Sequence, residues 1–164
     1  MMNVYKGRAW KFGDNIDTDL IVPSVYLRAP MEVVLQHTFE AIRPDFSKQV
    51  KPGDIIVGGK SFGFGSHREK AAWVPKLLKV SVVVADSFAR TFFRNCVNIG
   101  MPILPIQNVS KMVEEGDEVE VDLQKGILRN ITKGTSIAAK PLPEIVLNIL
   151  HAGGILQVLK QKTS

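Results

Sequence analysis

The sequence predicts an α/β domain built on a largely parallel sheet. Three observations carry this. Residues 55–72 read as a strand, a glycine loop and a helix start: Ile55, Ile56 and Val57 end in Gly58-Gly59, Gly63 and Gly65 bracket Phe64, and a helical run through Ala71, Ala72 and Trp73 follows Ser66. Residues 80–85 are a nearly continuous β-branched run, the pattern of a strand buried on both faces. Later in the chain, residues 118–123 alternate acidic and apolar side chains, and residues 127–131 follow across Lys125-Gly126 as the second arm of a hairpin.

The remaining elements follow from local chemistry. Residues 4–12 alternate as an edge or hairpin strand, which Gly13-Asp14-Asn15 breaks. Asp14, Asp17 and Asp19 come next, but no glycine stands at the sixth position of a calcium loop and no glutamate at the twelfth, so turn and cap roles are expected. Residues 21–27 lead into Arg28-Ala29-Pro30, where Pro30 suits the first turn of a weak helix carrying Val33, Val34, Leu35 and Phe39. Residues 49–54 make a tight turn before the strand at 55–57. Pro75 is expected to kink or shorten the helix after Ser66. Asp86-Ser87 suits the cap of a helix over residues 88–99, with Phe88, Phe92, Cys96 and Ile99 on its apolar face. Arg90 and Arg94 share another face, as surface cations or as anchors for the loop after Gly63. Gly100-Met101-Pro102 stops that helix, and a short strand follows at 103–104. The final helix is predicted at 142–152, ended by Gly153-Gly154. Without a repeat or linker, residues 1–164 are expected to form one domain.

Strand, glycine loop and helix start make an anion site in α/β proteins. Arg68 adds a planar fork suited to carboxylate or phosphate, and Ser66 a hydroxyl. Gly53 and Gly59 are one residue too far apart for a phosphate loop, and Arg68 stands where the dinucleotide pattern needs glycine. A small carboxylate is the better ligand. Ser66 and Glu69 also fit a capping box, in which they serve only the helix start.

The chain carries 21 Lys+Arg against 16 Asp+Glu, a formal charge of +5. That suits anionic substrates or an acidic partner. The cations are scattered rather than interleaved with aromatics, which argues against nucleic acid. No apolar run is long enough to cross a bilayer and no secretory pattern opens the chain, so a cytoplasmic location is expected. The single cysteine, Cys96, excludes an internal disulfide and a complete iron–sulfur site. His37 and His151 are isolated and receive no catalytic part.

The loop Gly59-x-Ser61-Phe62-Gly63-x-Gly65-Ser66-x-Arg68-Glu69 resembles the signature loop of the aconitase superfamily's small swivelling domain. Other matching blocks run in the same order: residues 10–19, Asp45-Phe46, residues 52–57, Ser87-Phe88-Ala89-Arg90 with Arg94-Asn95, residues 98–102, residues 116–119 and residues 141–144. They point to the small subunits of 3-isopropylmalate dehydratase (isopropylmalate isomerase) and of homoaconitase. The fold implied is the three-layer β/β/α swivelling domain, with a second β layer from the N-terminal and C-terminal hairpins. The activity implied is a hydro-lyase that dehydrates a 2-hydroxy di- or tricarboxylate and rehydrates the neighbouring carbon, as in the isopropylmalate step of leucine biosynthesis. Homoaconitase or a dimethylmalate-type dehydratase is the alternative.

The resemblance also implies roles. Ser66 is the base that removes the proton alpha to a carboxylate, with the helix N-terminus and loop amides stabilising its alkoxide. Arg68 clamps a substrate carboxylate. His67 stands where relatives have a second serine and can donate to the same carboxylate. Arg28 lies in the loop that chooses the substrate and would suit a distal carboxylate. The Thr18-Asp19 motif and Gly65 support the site, with Asp19 facing a group of the large subunit. Phe64 and Lys70 depart from the commoner residues of the loop. No cofactor belongs to this chain; a four-iron four-sulfur cluster is expected on a large subunit, the implied partner, and the free small subunit is expected to be inactive and able to self-associate. The rival of another class is a non-catalytic RNA-binding or regulatory module, against which the Ser66-x-Arg68 pair argues.

Overall fold

The computed structural model describes residues 3–164. The first half of the chain contains β1 (Val4–Lys11), α1 (Thr18–Ile21), a 3-10 turn (Ser24–Tyr26), α2 (Met31–Gln36), α3 (Phe46–Gln49), β2 (Ile55–Gly58), α4 (Glu69–Leu77) and β3 (Val82–Ala85). Then come α5 (Arg90–Ile99), β4 (Ile103–Pro105), α6 (Val109–Met112), β5 (Glu118–Asp122), β6 (Ile127–Asn130), β7 (Thr135–Ala138), α7 (Glu144–Ala152) and α8 (Ile155–Thr163). The strands form one sheet in the order β4-β3-β2-β1-β5-β6-β7.

Two hydrogen-bonding regimes meet in that sheet. From β1 to β4 the strands are parallel, as expected of strands joined by helical crossovers. Every residue of β2 and β3 is buried, which is why both read as unbroken apolar runs. From β1 through β5 and β6 to β7 the pairing is antiparallel. β1 belongs to both halves: residues 4–8 pair with β5, and residues 9–11 pair with β2. Its side chains alternate over the first stretch and turn fully inward at Ala9 and Trp10. The expected edge or hairpin strand is therefore an interior strand, and the β-rich tail extends the same sheet through it. α6 touches β2, β3 and β7, tying the end of the antiparallel half back to the parallel half.

An aromatic cluster fills the space where the halves join. Trp10 and Phe39 each meet Phe46 edge-on at 5.0 Å between ring centres, and Phe12 lies 4.3 Å from Phe39. Such offset and edge contacts match the quadrupoles of the rings. Trp10 donates its indole N–H to the buried Asp54 carboxylate at 2.8 Å, so its polar atom is satisfied. Phe62 extends the cluster, lying edge-on to Phe12, Phe88 and Phe92 at 5.6 to 6.5 Å.

Several local expectations fail where a side chain is used elsewhere. α4 begins at Glu69 with Arg68 as its N-cap, and no side chain caps it. Ser66 is thus not a cap, and the capping box does not form. α5 likewise begins at Arg90 without a side-chain cap. The Asp86 carboxylate instead accepts from the Ser110 amide and hydroxyl of α6, at 2.9 and 2.7 Å, and the Ser87 hydroxyl accepts from the Ser61 amide at 2.9 Å. α4 runs through Pro75 and stops two residues later. α7 starts at Glu144, two residues after its expected start, and Gly153 ends it in the left-handed conformation at φ 87°. β7 and α8 are additional elements: β7 is a mostly exposed edge strand, and α8 buries no residue.

Candidate active site

The glycine loop is held between two other segments. On one side, the Asn15 amide donates to the Lys60 carbonyl at 2.8 Å, the Gly63 amide to Ile16 at 2.7 Å, and the Thr18 amide to Phe64 at 2.9 Å. The Asp14 carboxylate accepts from the Lys60 amide at 2.7 Å, and Asp17 caps α1 through the Leu20 amide at 2.8 Å. The aspartates after β1 are thus turn, cap and pairing groups. On the other side, Phe62 exchanges backbone bonds with Ser87 and Ala89, both 3.0 Å. Phe62 is buried and Phe64 exposed, so alternate loop residues anchor and display. Gly63 sits at φ +81°, and a Cβ there would lie 2.2 Å from the Phe92 ring; no other residue fits. Gly65 follows at φ +102°, against Thr18.

This bracing presents Ser66 at the surface, with its hydroxyl 3.1 Å from the Thr18 hydroxyl. Thr18 itself is buried and also donates to the Ser66 carbonyl at 3.3 Å. Arg68 points back to the same short helix. Its Nη1 donates to the Asp19 carboxylate and to the Val22 carbonyl, both at 2.9 Å. Among the described residues, Nε and Nη2 of Arg68 make no hydrogen bond. Asp19 pairs with Arg68 within the chain and also accepts from the Ser24 amide at 2.9 Å. Hydrogen bonds from Arg68 and then from Ser24 hold its carboxyl below the usual carboxylate range.

Two neighbouring dipeptide positions, Thr18 and Asp19, therefore hold the hydroxyl of Ser66 and the guanidinium of Arg68. A hydroxyl beside a fork with two free nitrogens suits a small carboxylate. His67 is exposed, with Nδ1 3.1 Å from the Thr91 hydroxyl on α5. When Thr91 donates to Nδ1, the imidazole carries its proton on Nε2 and can donate there. Arg28 is exposed on the turn after Tyr26, without a hydrogen bond or ion pair among the described residues. Thr91 and the Val22 carbonyl were not anticipated as supports. No periodic or motif signal marks them, because their contacts are purely tertiary.

The site is open rather than enclosed. A cavity of about 350 Å³ lies at the start of α5, lined by Ser87, Phe88, Arg90, Phe93, Arg94 and Pro105. Arg90 and Arg94 thus border that cavity, and it is Thr91 between them that contacts the loop. The chain's own residues do not fit an iron–sulfur cluster. Cys96 is fully buried in α5, where burial pushes its thiol far above the ordinary range, and no group of three His, Cys, Asp or Glu among the described residues is placed to hold a metal.

Comparison with known proteins identifies the family. Residues 15–111, which hold Thr18, Asp19, Arg28, Ser66, His67 and Arg68, match the model of the aconitase C-terminal domain. The chain is 48% identical over 163 residues to the isopropylmalate/citramalate isomerase small subunit of Methanocaldococcus jannaschii, covering 99% of this chain and 97% of that one. It is 50% identical over 157 residues to a 3-isopropylmalate dehydratase small subunit of Archaeoglobus fulgidus, covering 94% of each. A crystal structure of 3-isopropylmalate dehydratase from Methanocaldococcus jannaschii superposes with a TM-score of 0.91 at 38% identity, covering 98% of this chain and 95% of that chain. With half its residues shared with such relatives end to end, and the braced serine loop inside the matched segment, this chain belongs to the aconitase C-terminal domain family.

Proposed function

We propose that this chain is the cytoplasmic small subunit of 3-isopropylmalate dehydratase, a hydro-lyase of leucine biosynthesis that works with a large subunit. The observation that carries the reading is the joint hold of Thr18 and Asp19 on Ser66 and Arg68. Arg68 binds a substrate carboxylate through Nε and Nη2 while Asp19 and Val22 fix Nη1. That places the carbon alpha to the carboxylate beside Ser66. Ser66, as alkoxide, takes the proton from that carbon. Ser66 lies three residues before α4, so the stabilising group at hand is the Thr18 hydroxyl, which donates to the alkoxide. His67 donates from Nε2 to the same carboxylate.

The other half of the chemistry lies outside this chain. Ser66 and His67 are exposed, so a partner surface must close the site and exclude water. The large subunit carries the four-iron four-sulfur cluster, a Lewis acid for the leaving hydroxyl. Arg28, exposed and without a partner among the described residues, favours a second substrate with a distal carboxylate, of the homoaconitate kind. Assays of hydro-lyase activity and iron content, with and without the large subunit, test the reading. The expected result is an inactive, iron-free chain that gains activity on adding the partner. Full activity of the chain alone would refute it.

A further inference from the structure

Lys70 lies in the first turn of α4, two residues beyond Arg68, and is half-buried. Its ammonium donates to the carbonyls of Leu27 at 2.6 Å and Ala29 at 3.0 Å. These are the residues on either side of Arg28. Tyr26, Leu27 and Ala29 pack against the core, and Tyr26 stacks on His37 at 4.0 Å, but the backbone of the turn makes few bonds of its own: the Leu27 amide reaches Ser24 at 3.2 Å, the Ala29 amide reaches Tyr26 at 3.0 Å, and Pro30 has no N–H to give. Among the described residues, no turn or loop backbone amide reaches either carbonyl that Lys70 takes. At the other end of the same segment Arg68 donates to the Val22 carbonyl. Residues 22–29 are thus held at both ends from the start of α4.

We propose that Lys70 is a positioning residue for substrate choice: its ammonium pins the peptide groups flanking Arg28 and so fixes where the Arg28 guanidinium meets the substrate. The proposal rests on the reading of Arg28 as a substrate contact. An ammonium offers three donors on a flexible stem, so one Lys can satisfy two carbonyls two residues apart. With both carbonyls directed at one cation, the backbone of Arg28 loses most of its rotational freedom. The stretch 66–70 then supplies the base, the carboxylate clamp and the brace for the residue that reads the substrate's far end.

The test uses the assembled two-subunit enzyme and compares Lys70→Met with Lys70→Arg. One readout is amide hydrogen exchange over residues 24–30. The other is the ratio of kcat/KM for a substrate with a distal carboxylate to that for the isopropyl substrate. Lys70→Met should speed exchange at Leu27 and Ala29 about tenfold or more, as local opening becomes easier. It should also lower the ratio by about tenfold, more through KM than through kcat, as an unplaced charge contact is lost. Lys70→Arg should restore most of both. In an Arg28→Val background, adding Lys70→Met should leave the ratio where Arg28→Val alone puts it. Unchanged exchange in Lys70→Met overturns the clamp. Faster exchange with an unchanged ratio overturns the positioning role. An unchanged ratio in Arg28→Val alone overturns the reading of Arg28, and the role of Lys70 in substrate choice with it.

Discussion

Replacing Thr18 by valine removes one hydroxyl and keeps the side chain's shape. Thr18 is buried, its amide bond to Phe64 stays, and valine fills the same volume. What is lost is a donor 3.1 Å from the Ser66 hydroxyl and 3.3 Å from its carbonyl. While Ser66 is neutral these are ordinary bonds, worth about 0.5–1.5 kcal/mol net. When Ser66 is an alkoxide the same donor faces a charge, and such bonds are worth about 1.5–3 kcal/mol. At about 1.4 kcal/mol per decade, the larger figure corresponds to a ten- to hundredfold effect on the rate constant. Part of it is offset, because the hydroxyl leaves the Ser66 carbonyl to serve the alkoxide. The expected loss in kcat is therefore about tenfold, with KM little changed. Steady-state kinetics with the large subunit present, paired with thermal melts, give the measurement, and Thr18→Ser is the control that keeps the donor. Equal losses in the serine and valine variants would refute the alkoxide role. So would a rise in KM with kcat unchanged.

Other substitutions test the neighbouring residues. Ser66→Ala should nearly abolish kcat while leaving assembly and stability close to the parent, since Ser66 caps no helix; a stability loss of about 1 kcal/mol with turnover retained would restore the capping role. Arg28→Val should shift the ratio of specificity constants about tenfold toward the isopropyl substrate, because one charge-assisted bond is lost from the competitor; competition assays with both substrates read this directly. Asp19→Asn tests the pair with Arg68 through pH. The carboxyl of Asp19 is depressed in the folded state, so its contribution is present above the unfolded value of about 4 and is lost as pH falls through the lower folded value. The stability gap between parent and Asp19→Asn should therefore hold steady above about pH 5 and close in more acid solution. Denaturant melts across that range would contradict the pairing if the gap were constant throughout.

The legible parts of the fold were those whose burial is symmetric or strictly alternating. β2 and β3 are covered on both faces, so their composition alone announces them. The β5–β6 hairpin shows its alternation because one face is buried and the other wet. β1 reads as an edge or hairpin strand yet lies inside the sheet, because alternation reports which side of a strand is buried, not how many partners the backbone has. β7 buries almost nothing and so carries no apolar period to read, whereas α8 has Ile155, Val158 and Leu159 at helical spacing but lies beyond Gly153-Gly154, which the sequence marks as the end of the last helix. In the site, Ser66, Arg68 and the Thr18-Asp19 pair stood out through motif resemblance, and the structure brings all four together. The capping readings of Ser66 and of Asp86-Ser87 fail because a serine or aspartate that suits a cap is equally suited to a distant hydroxyl or amide. Ser66, Asp86 and Ser87 all serve such distant partners. Lys70 drew notice only as a departure; its two carbonyl partners are over forty residues away in sequence.

The shared strand also sets an order of events during synthesis. Residues 4–8 leave the ribosome well before their antiparallel partners, residues 118–122. At 5–20 residues per second the wait is on the order of ten seconds. Through that interval the parallel half can assemble around β2, but one side of β1 presents unpaired amides and carbonyls to whatever passes. Nascent chains on one message are the nearest such strangers. The exposed stretch carries Lys6 and Arg8, whose charge and hydration oppose strand-to-strand capture until β5 arrives.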